Sequence, residues 1–439
     1  MFLPENVSIC IRALEQAGFS AYAVGGCVRD ALLGLSPHDY DLCTNALPEE
    51  TARVFEAYPL VRSGEKHGTI GVVMDGEVIE ITTFRTEGGY QDSRHPDWVR
   101  FVSGLEEDLS RRDFTVNAMA YNPKTGYVDP FGGQADLENK ILRTVGDPAV
   151  RFTEDPLRIL RGVRFAVRFG LTPEAKTERE MTALSHRMDK LAKERVFDEL
   201  CKLLPAVTAP ELQRFAPVLT AVIPELKPAV GFLQHTPHHA YDVFTHTSLV
   251  VEGVGEDLAL RWAALLHDAG KPGSFTMDEN GRGHFKGHAH LSGEIAEAVL
   301  HRLKAPNALR EEVVLLIKHH MTPLEPDKRI LRRRLGQYGI ETVQKMLTLQ
   351  KADFAGKGVK DSDPQFSQVE ALLEEILAEE ACFSLKDLAI NGQDLIKLGF
   401  EPGPNMGACL SKLLEQVQDE KIPNEKEALL NAALLLKGD

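Results

Sequence analysis

A short apolar run, Tyr22-Ala23-Val24, ends on the glycine pair Gly25-Gly26; Arg29 follows, and then His38-Asp39-Tyr40-Asp41-Leu42. No other stretch restricts the fold so tightly. A strand that stops on two glycines brings bare backbone N–H groups close to whatever lies above its end. A second strand opening on Asp-x-Asp sends both carboxylates to one side, because side chains alternate along extended backbone, and Leu42 starts the buried side. Two hard oxygen ligands suit Mg²⁺, which takes one or two carboxylates and fills its shell with water and phosphate. Asp-x-Asp alone is most often a solvated turn. Joined to Gly-Gly and Arg29 in one strand–turn–strand unit, it marks Asp39 and Asp41 as the catalytic, Mg²⁺-binding pair of a metal-dependent nucleotidyl-transfer site.

The rest of the chain must accommodate that unit. Its 439 residues leave room for two to four domains. With 43% apolar and 26% charged residues it is neither disordered nor fibrous. No apolar run approaches the roughly 18 residues of a membrane span, and Met1-Phe2-Leu3-Pro4-Glu5 lacks the basic start of a signal peptide. The six cysteines are scattered without a C-x-x-C pair, which predicts reduced thiols in a cytoplasmic protein. A formal charge of −15 argues against a general nucleic-acid coat, though not against a local basic groove.

In chain order, apolar spacing predicts a helix from Val7 to Gly18 and a shorter one from Pro48 to about Ala57. Thr69–Met74 and Glu77–Thr82 read as a hairpin across Asp75-Gly76. Glu80 either joins the acid pair as a third carboxylate or lies on the polar face of an edge strand. The glycine-bearing segment Phe84 to Trp98 reads as a loop whose Arg85, Asp92, Arg94 and His95 can reach over a bound nucleotide. Arg111-Arg112 precedes residues that alternate as though entering a strand and can neutralise phosphate oxygens. Asp129-Pro130-Phe131-Gly132-Gly133 turns the chain out of this first region.

Next comes a helix read as Glu154 to Arg168, capped by Thr153, with Pro156 in its first turn. Glu154, Arg158, Arg161, Arg164 and Arg168 share one face, joined by Leu157 and Phe165, which are placed to pack beside a base. The stripe has few acids of its own, and such a stripe usually meets phosphate. Asp155 and Arg158 supply one acceptor and one donor. That pair matches the amino group and adjacent ring nitrogen that cytosine and adenine both present, and leaves charges unpaired against uracil or guanine. A plain salt bridge between them is the simpler alternative.

Helical spacing then continues, with prolines at 205, 210, 217 and 224, into a histidine-rich stretch. The order His246, His267-Asp268, Asp353 resembles the ligand order of HD phosphohydrolase domains. Imidazole and carboxylate together suit Mn, Ni, Co or Zn. His288 and one of His319 or His320 are further ligand candidates. Lys328-Arg329-Ile330-Leu331-Arg332-Arg333-Arg334 reads as a nucleic-acid patch, residues 356–366 as a surface loop, and Gly403, Asn405 and Gly407 as the start of a helix able to meet phosphate.

Taken together, AVGGCVRDALLG, HDYDLCT, EITTFR with YQDSRHP, EEDLSRRDFTVNAMAYN, VDPFGGQADL, RFTEDPLRILRGVRF, the HD stretch and INGQDLIKLGFEPGPNMG resemble the bacterial CCA-adding tRNA nucleotidyltransferases with an internal HD domain. The resemblance covers nearly the whole chain. It implies an α+β fold: a polymerase-β-like head on a small mixed sheet (residues 1–140), then an all-α neck (141–225), HD body (226–360) and tail (361–439). It also implies that Asp39 and Asp41 bind Mg²⁺ and that Gly26, Arg29 and Arg112 hold the triphosphate of CTP or ATP. Asp155, Arg158, Arg161 and Arg164 would read the base, and neck, body and tail would hold the acceptor arm of tRNA. His246, His267, Asp268 and Asp353 would be the HD metal ligands. Cousins add only A or make poly(A) tails; CC-only relatives tend to lack the loop present here at Arg85 to Trp98. A phosphohydrolase acting on RNA ends through the HD cluster, and a non-catalytic tRNA-binding module, are the alternatives from other classes.

Overall fold

The hairpin forms where the sequence places it. Thr69–Met74 pairs with Glu77–Thr83, and both turn residues take positive φ (Asp75 52°, Gly76 84°), the geometry that matches the twist of the flanking strands. This hairpin supplies two strands of a seven-stranded mixed sheet in the computed structural model, which describes residues 1–88, 98–359, 365–378 and 384–437. The strands run in the order Leu60–Val61, Thr69–Met74, Glu77–Thr83, Leu42–Thr44, Ala21–Val24, Ala120–Asn122, Gly126–Val128. Leu42–Thr44 lies parallel to Glu77–Thr83 and antiparallel to Ala21–Val24, so the residues before Leu42 and after Val24 emerge together near the sheet centre. Helix Glu5–Gln16 buries Val7, Cys10, Ile11 and Leu14. Each such side chain removed from water contributes about 1.5–3 kcal/mol.

Three local expectations need correction. Phe84 to Trp98 is not simply a loop: Arg85–Gly88 and Trp98–Phe101 pair as an antiparallel ribbon, while Asp92, Arg94 and His95 lie outside the described residues. The residues after Arg112 do not enter a strand directly. Asp113 Oδ1 accepts from the Phe114 N–H (2.8 Å) and from Asn117 Nδ2 (3.0 Å), which favours a tight turn at Thr115–Asn117, and extended pairing resumes only at Ala120. Thr153 is no helix cap: it lies inside helix Pro148–Glu154, and the arginine-bearing helix spans Leu157–Phe169. The break falls at Asp155 (φ −135°, ψ 99°) because a residue preceding proline is driven out of helical geometry.

The chain divides into two compact units, Met1–Lys227 with Arg302–Ala305, and Pro228–His301 with Pro306–Asp439. Beyond the sheet and the Arg85–Phe101 ribbon the described part of the first unit is mainly helical, with a two-residue ladder between Ile141–Leu142 and Thr172–Pro173. The second is built of helices with one two-residue ladder, Thr276–Met277 against Gly283–His284. Its C-terminal helices close on a core of Leu388, Ile390, Leu395, Cys409, Leu413, Leu429 and Ala433.

Candidate functional site

Leu42, fully buried, pins the segment that carries the acid pair. The strand itself begins only there, but the Val24 N–H donates to Asp41 O (2.9 Å), so pairing with Ala21–Val24 already starts at Asp41. Gly25 sits at φ +78°, and a Cβ on it would come within 2.9 Å of the Arg112 guanidinium. Only glycine tolerates both the backbone conformation and that approach.

Asp39 and Asp41 form the shared wall of two clefts. One, of about 460 Å³, is lined by Gly25, Gly26, Arg29, Arg112, Arg161, Arg164 and Arg168 among others. The other, of about 750 Å³, is lined by Asn6, His38, Glu77 and Glu80. Glu80 therefore faces the acid pair across the second cleft. Asp41 reaches solvent, yet the cleft walls crowd its carboxyl. That crowding, with the charges of Glu80 and Asp39, raises its pKa against the opposing pull of Arg112. An acid pair under mutual repulsion, with room beside it for water and phosphate, fits a Mg²⁺ site.

The arginine stripe finds its acids elsewhere in the chain. Arg161 donates to Asp113 Oδ2 from Nε (2.9 Å) and Nη2 (2.7 Å), and Arg164 Nε donates to Glu199 (2.5 Å). Arg29, 6% exposed, donates to Asp30 and to Asn117 Oδ1. Asp113 is buried, which opposes its charge, but Arg161 and Asn117 hold it down to about 2. Asp155 and Arg158 meet through the backbone (Arg158 N–H to Asp155 O, 3.0 Å), their side chains take other partners, and neither lines the arginine cleft. Asp155 accepts from the Leu157 N–H (3.0 Å) and Arg195 (2.9 Å); Arg158 donates to Glu154 (2.8 Å) and to the Arg111 carbonyl (3.1 Å). Leu157 and Phe165 are buried, at 5% and 4% exposure, so neither offers an open face to a base. Asp30, Asp113, Asn117 and Glu199 were not singled out from the sequence; the sole hint was a stripe of arginines short of partners.

In the second unit, His246, His267, Asp268 and Asp353 converge, their ligand atoms all within 4.8 Å of one another. A second group, Asp268 with His288 and His320, meets the same test, so Asp268 is common to both. His267, His288 and His320 each turn Nδ1 to a backbone carbonyl three residues earlier (2.7, 2.8 and 2.7 Å to Ala264, Phe285 and Ile317). That fixes the tautomer and leaves Nε2 facing Asp268, as in metal-binding histidines. Neither Asp268 oxygen nor His267 Nε2 takes part in a hydrogen bond, although the Lys271 ammonium stands 2.7 Å from Oδ2. Burial opposes a charge on His267, but Asp268 and Asp353 pull its pKa to about 10. A pocket this hungry for positive charge fits a divalent cation. His319 points away, to Thr322 and Tyr338, which settles the choice between the adjacent histidines for His320. A cleft of about 420 Å³ opens on His320 and Asp353, lined also by Met321, Phe354, Lys357 and Phe366.

The basic run forms helix Lys328–Tyr338, with Arg329 and Arg333 exposed but most of its cations facing acids. Lys328, Arg329, Arg332 and Arg333 pair with Glu375, Asp327, Glu420 and Asp419. Gly403 does precede a helix, Pro404–Gln418.

Residues 21–143 match the Poly A polymerase head domain, 170–211 a probable RNA and SrmB-binding site of polymerase A, and 285–433 a putative tRNA nucleotidyltransferase domain 2. The chain is 33% identical over 434 residues to the CCA-adding enzyme of Streptococcus thermophilus, covering 98% of this chain and 97% of that one. It is 36% identical over 422 residues to that of Limosilactobacillus fermentum, covering 96% and 94%. Among solved structures, the Bacillus stearothermophilus CCA-adding enzyme in complex with CTP superposes with a TM-score of 0.72 at 28% identity, covering 100% and 98% of the two chains. The Thermotoga maritima CCA-adding enzyme complexed with tRNA shares the fold at a TM-score of 0.63 and 24% identity, covering 99% and 96%.

Proposed function

The chain belongs to the family of CCA-adding enzymes, and from that premise we propose that it builds and repairs the 3′-terminal CCA of tRNA from CTP and ATP without a template. One observation carries the assignment to this site: the Asp39–Asp41 pair divides an arginine-lined cleft from an acid-lined one. The triphosphate lies in the first, against Gly26, Arg29 and Arg112; Arg161 and Arg164, expected from the resemblance to read the base, line that same cleft and are assigned here to the phosphates. The tRNA end enters the second. Its 3′-oxygen attacks the α-phosphorus in line, the bond to the bridging oxygen breaks, and pyrophosphate departs. Asp39 and Asp41 would hold Mg²⁺, which would supply the charge that activates the hydroxyl and offsets the leaving group. Glu80 faces the incoming end. Asp155 and Arg158 read the base, exchanging Arg195 and Glu154 for the amino group and ring nitrogen of cytosine or adenine.

In this reading residues 1–140 are the catalytic head, 141–225 the base-reading neck, 226–360 the HD body and 361–439 the tail on the acceptor arm. No helix among the described residues is long and apolar enough to cross a membrane, and a tRNA substrate supports a cytoplasmic enzyme.

The test uses tRNAs ending at the discriminator base, at C, or at CC, incubated with CTP, ATP and Mg²⁺, and the product ends sequenced. CCA on all three is expected. Growth only from the CC acceptor makes it an A-adding enzyme, and long A tails a poly(A) polymerase. Asp39→Ala or Asp41→Ala abolishes transfer while tRNA binding stays within about threefold; retained transfer refutes the site.

The histidine–aspartate cluster favours a second reading. In it His246, His267, Asp268 and Asp353 would hold one divalent ion (Mn, Ni, Co or Zn) and Asp268, His288 and His320 could hold another, for the hydrolysis of phosphate esters at RNA ends. Bound metal would supply an activated water and polarise a phosphoryl oxygen. Metal analysis after dialysis checks it: His246→Ala and His320→Ala each lose bound ion, whereas His319→Ala keeps the full complement. Equal loss in all three, or none in any, removes the reading.

A further inference from the structure

Beneath the arginine-lined cleft lies one aromatic ring that touches three of its cations. The guanidinium carbons of Arg29, Arg161 and Arg164 stand 5.2, 5.2 and 4.3 Å from the centroid of Phe165, and Arg29 also lies 4.2 Å from that of the adjoining Phe169. Their carboxylate and amide partners come from three separate stretches: Asp30 and Asn117 for Arg29, Asp113 for Arg161, and Glu199 for Arg164 and, at 3.8 Å, for Arg161 as well. Phe165 is the contact they have in common. The ring itself is wedged, stacked on Phe169 (6.0 Å, 27°) and edge-on to Phe114 (5.8 Å, 88°). Phe114 can come this close because position 162 is glycine; a Cβ there would meet its ring at 2.9 Å. At 4% exposure Phe165 is a floor under the guanidinium groups, not a surface on which a base could stack.

We propose that Phe165 is a positioning residue for nucleotide binding: its face sets the planes of Arg29, Arg161 and Arg164, so that three cations of like charge present a fixed array to the phosphates. The proposal rests on the reading of that cleft as the nucleotide site. A carboxylate grips a guanidinium by one edge and leaves rotation about that edge open. An aromatic face under the plane removes the rotation, and its negative quadrupole offsets the repulsion among the cations. No leucine or methionine of similar volume does either. Because phosphates are common to both substrates, the ring serves CTP and ATP alike and takes no part in choosing between them.

Fluorinated phenylalanines separate this role from packing, since each added fluorine weakens the quadrupole while the ring keeps its shape. Equilibrium binding of CTP and of ATP is measured in Mg²⁺ for the protein carrying phenylalanine with none, one, two or three fluorines at position 165. Affinity should fall stepwise, to a total of roughly 5- to 30-fold, the range a desolvated cation–π contact spans. The loss should be equal for the two nucleotides and appear in KM more than in kcat, with thermal midpoints unchanged along the series. Phe165→Leu should lose at least as much. A flat series overturns the proposal, as does a loss that tracks thermal stability alone. Arg112→Ala is the control, because Arg112 lines the cleft without touching the ring. If it also leaves CTP binding intact, the cleft reading falls. If it weakens binding while the fluorine series stays flat, only the role of Phe165 falls.

Discussion

Asp113 shows how one side chain can serve structure and site together. One oxygen ties the Phe114–Asn117 turn and the other grips Arg161 on the neighbouring helix. Asn117 in turn accepts from Arg29, so a single buried carboxylate fixes two of the cleft's cations. The depression of its pKa from 3.8 to about 2 is therefore a statement about stability. A depressed carboxylate stabilises the folded state fully above its unfolded pKa, and that stabilisation drains away as pH falls towards the folded value. Asp113→Asn should cost on the order of 2 kcal/mol at pH 7. Urea unfolding of both proteins at a series of pH values should show the gap closing between about pH 4 and pH 2. A gap independent of pH means that the ion pair contributes nothing. None of this was legible in Arg-Arg-Asp alone, because Arg161 is distant in sequence and only the packing of helix Leu157–Phe169 brings the two together.

At the scale of elements, the break between helices Pro148–Glu154 and Leu157–Phe169 matters most. Periodicity alone ran the arginine stripe back through Glu154, since the apolar and charged faces stay in phase across the gap. The chemistry of Pro156 overrides that phase, and it leaves Asp155 in extended backbone with one oxygen on the Leu157 N–H and the other on Arg195. Asn can keep the first of these contacts through its carbonyl but presents an amide where the carboxylate was. Asp155→Asn is thus expected to fold normally, with a thermal midpoint within about 2 °C of the unaltered protein, and to incorporate U or G at a raised rate relative to C and A. Arg158→Ala should relax the choice in the same direction. Sequenced products from mixed nucleotides decide it: unaltered selectivity in both removes these residues from base reading. The hairpin and the first helix were legible, each carried by local spacing or turn chemistry. The Arg85–Phe101 ribbon was not, because its pairing is made by partners across a segment that shows no periodicity.

For the whole molecule, the acid pair and the ligand order of the histidine cluster were readable because each is a short pattern of chemically unusual residues. What the sequence could not announce is that the cluster has two ligand groups meeting at Asp268, since His288 and His320 arrive on different helices. The two units hold different candidate ligands, a nucleotide in the first and a transition metal in the second, and the chain supplies a reporter in each. Only two tryptophans occur, Trp98 in the first unit and Trp262 in the second. Trp262 is fully buried in helix Leu258–Leu266, whose end carries His267. In Trp98→Phe all indole fluorescence therefore reports the metal-bearing unit, and in Trp262→Phe it reports the head. A ligand that binds only the folded form stabilises it by about 2.7 kcal/mol at a hundred times its dissociation constant. Mn²⁺ should accordingly raise the urea midpoint seen in Trp98→Phe, and adding His246→Ala should abolish the rise. CTP with Mg²⁺ should raise the midpoint seen in Trp262→Phe, and Asp39→Ala should remove that rise. If Mn²⁺ shifts neither reporter, the histidine cluster binds no ion of consequence, and the helical unit serves the transfer reaction as a scaffold alone.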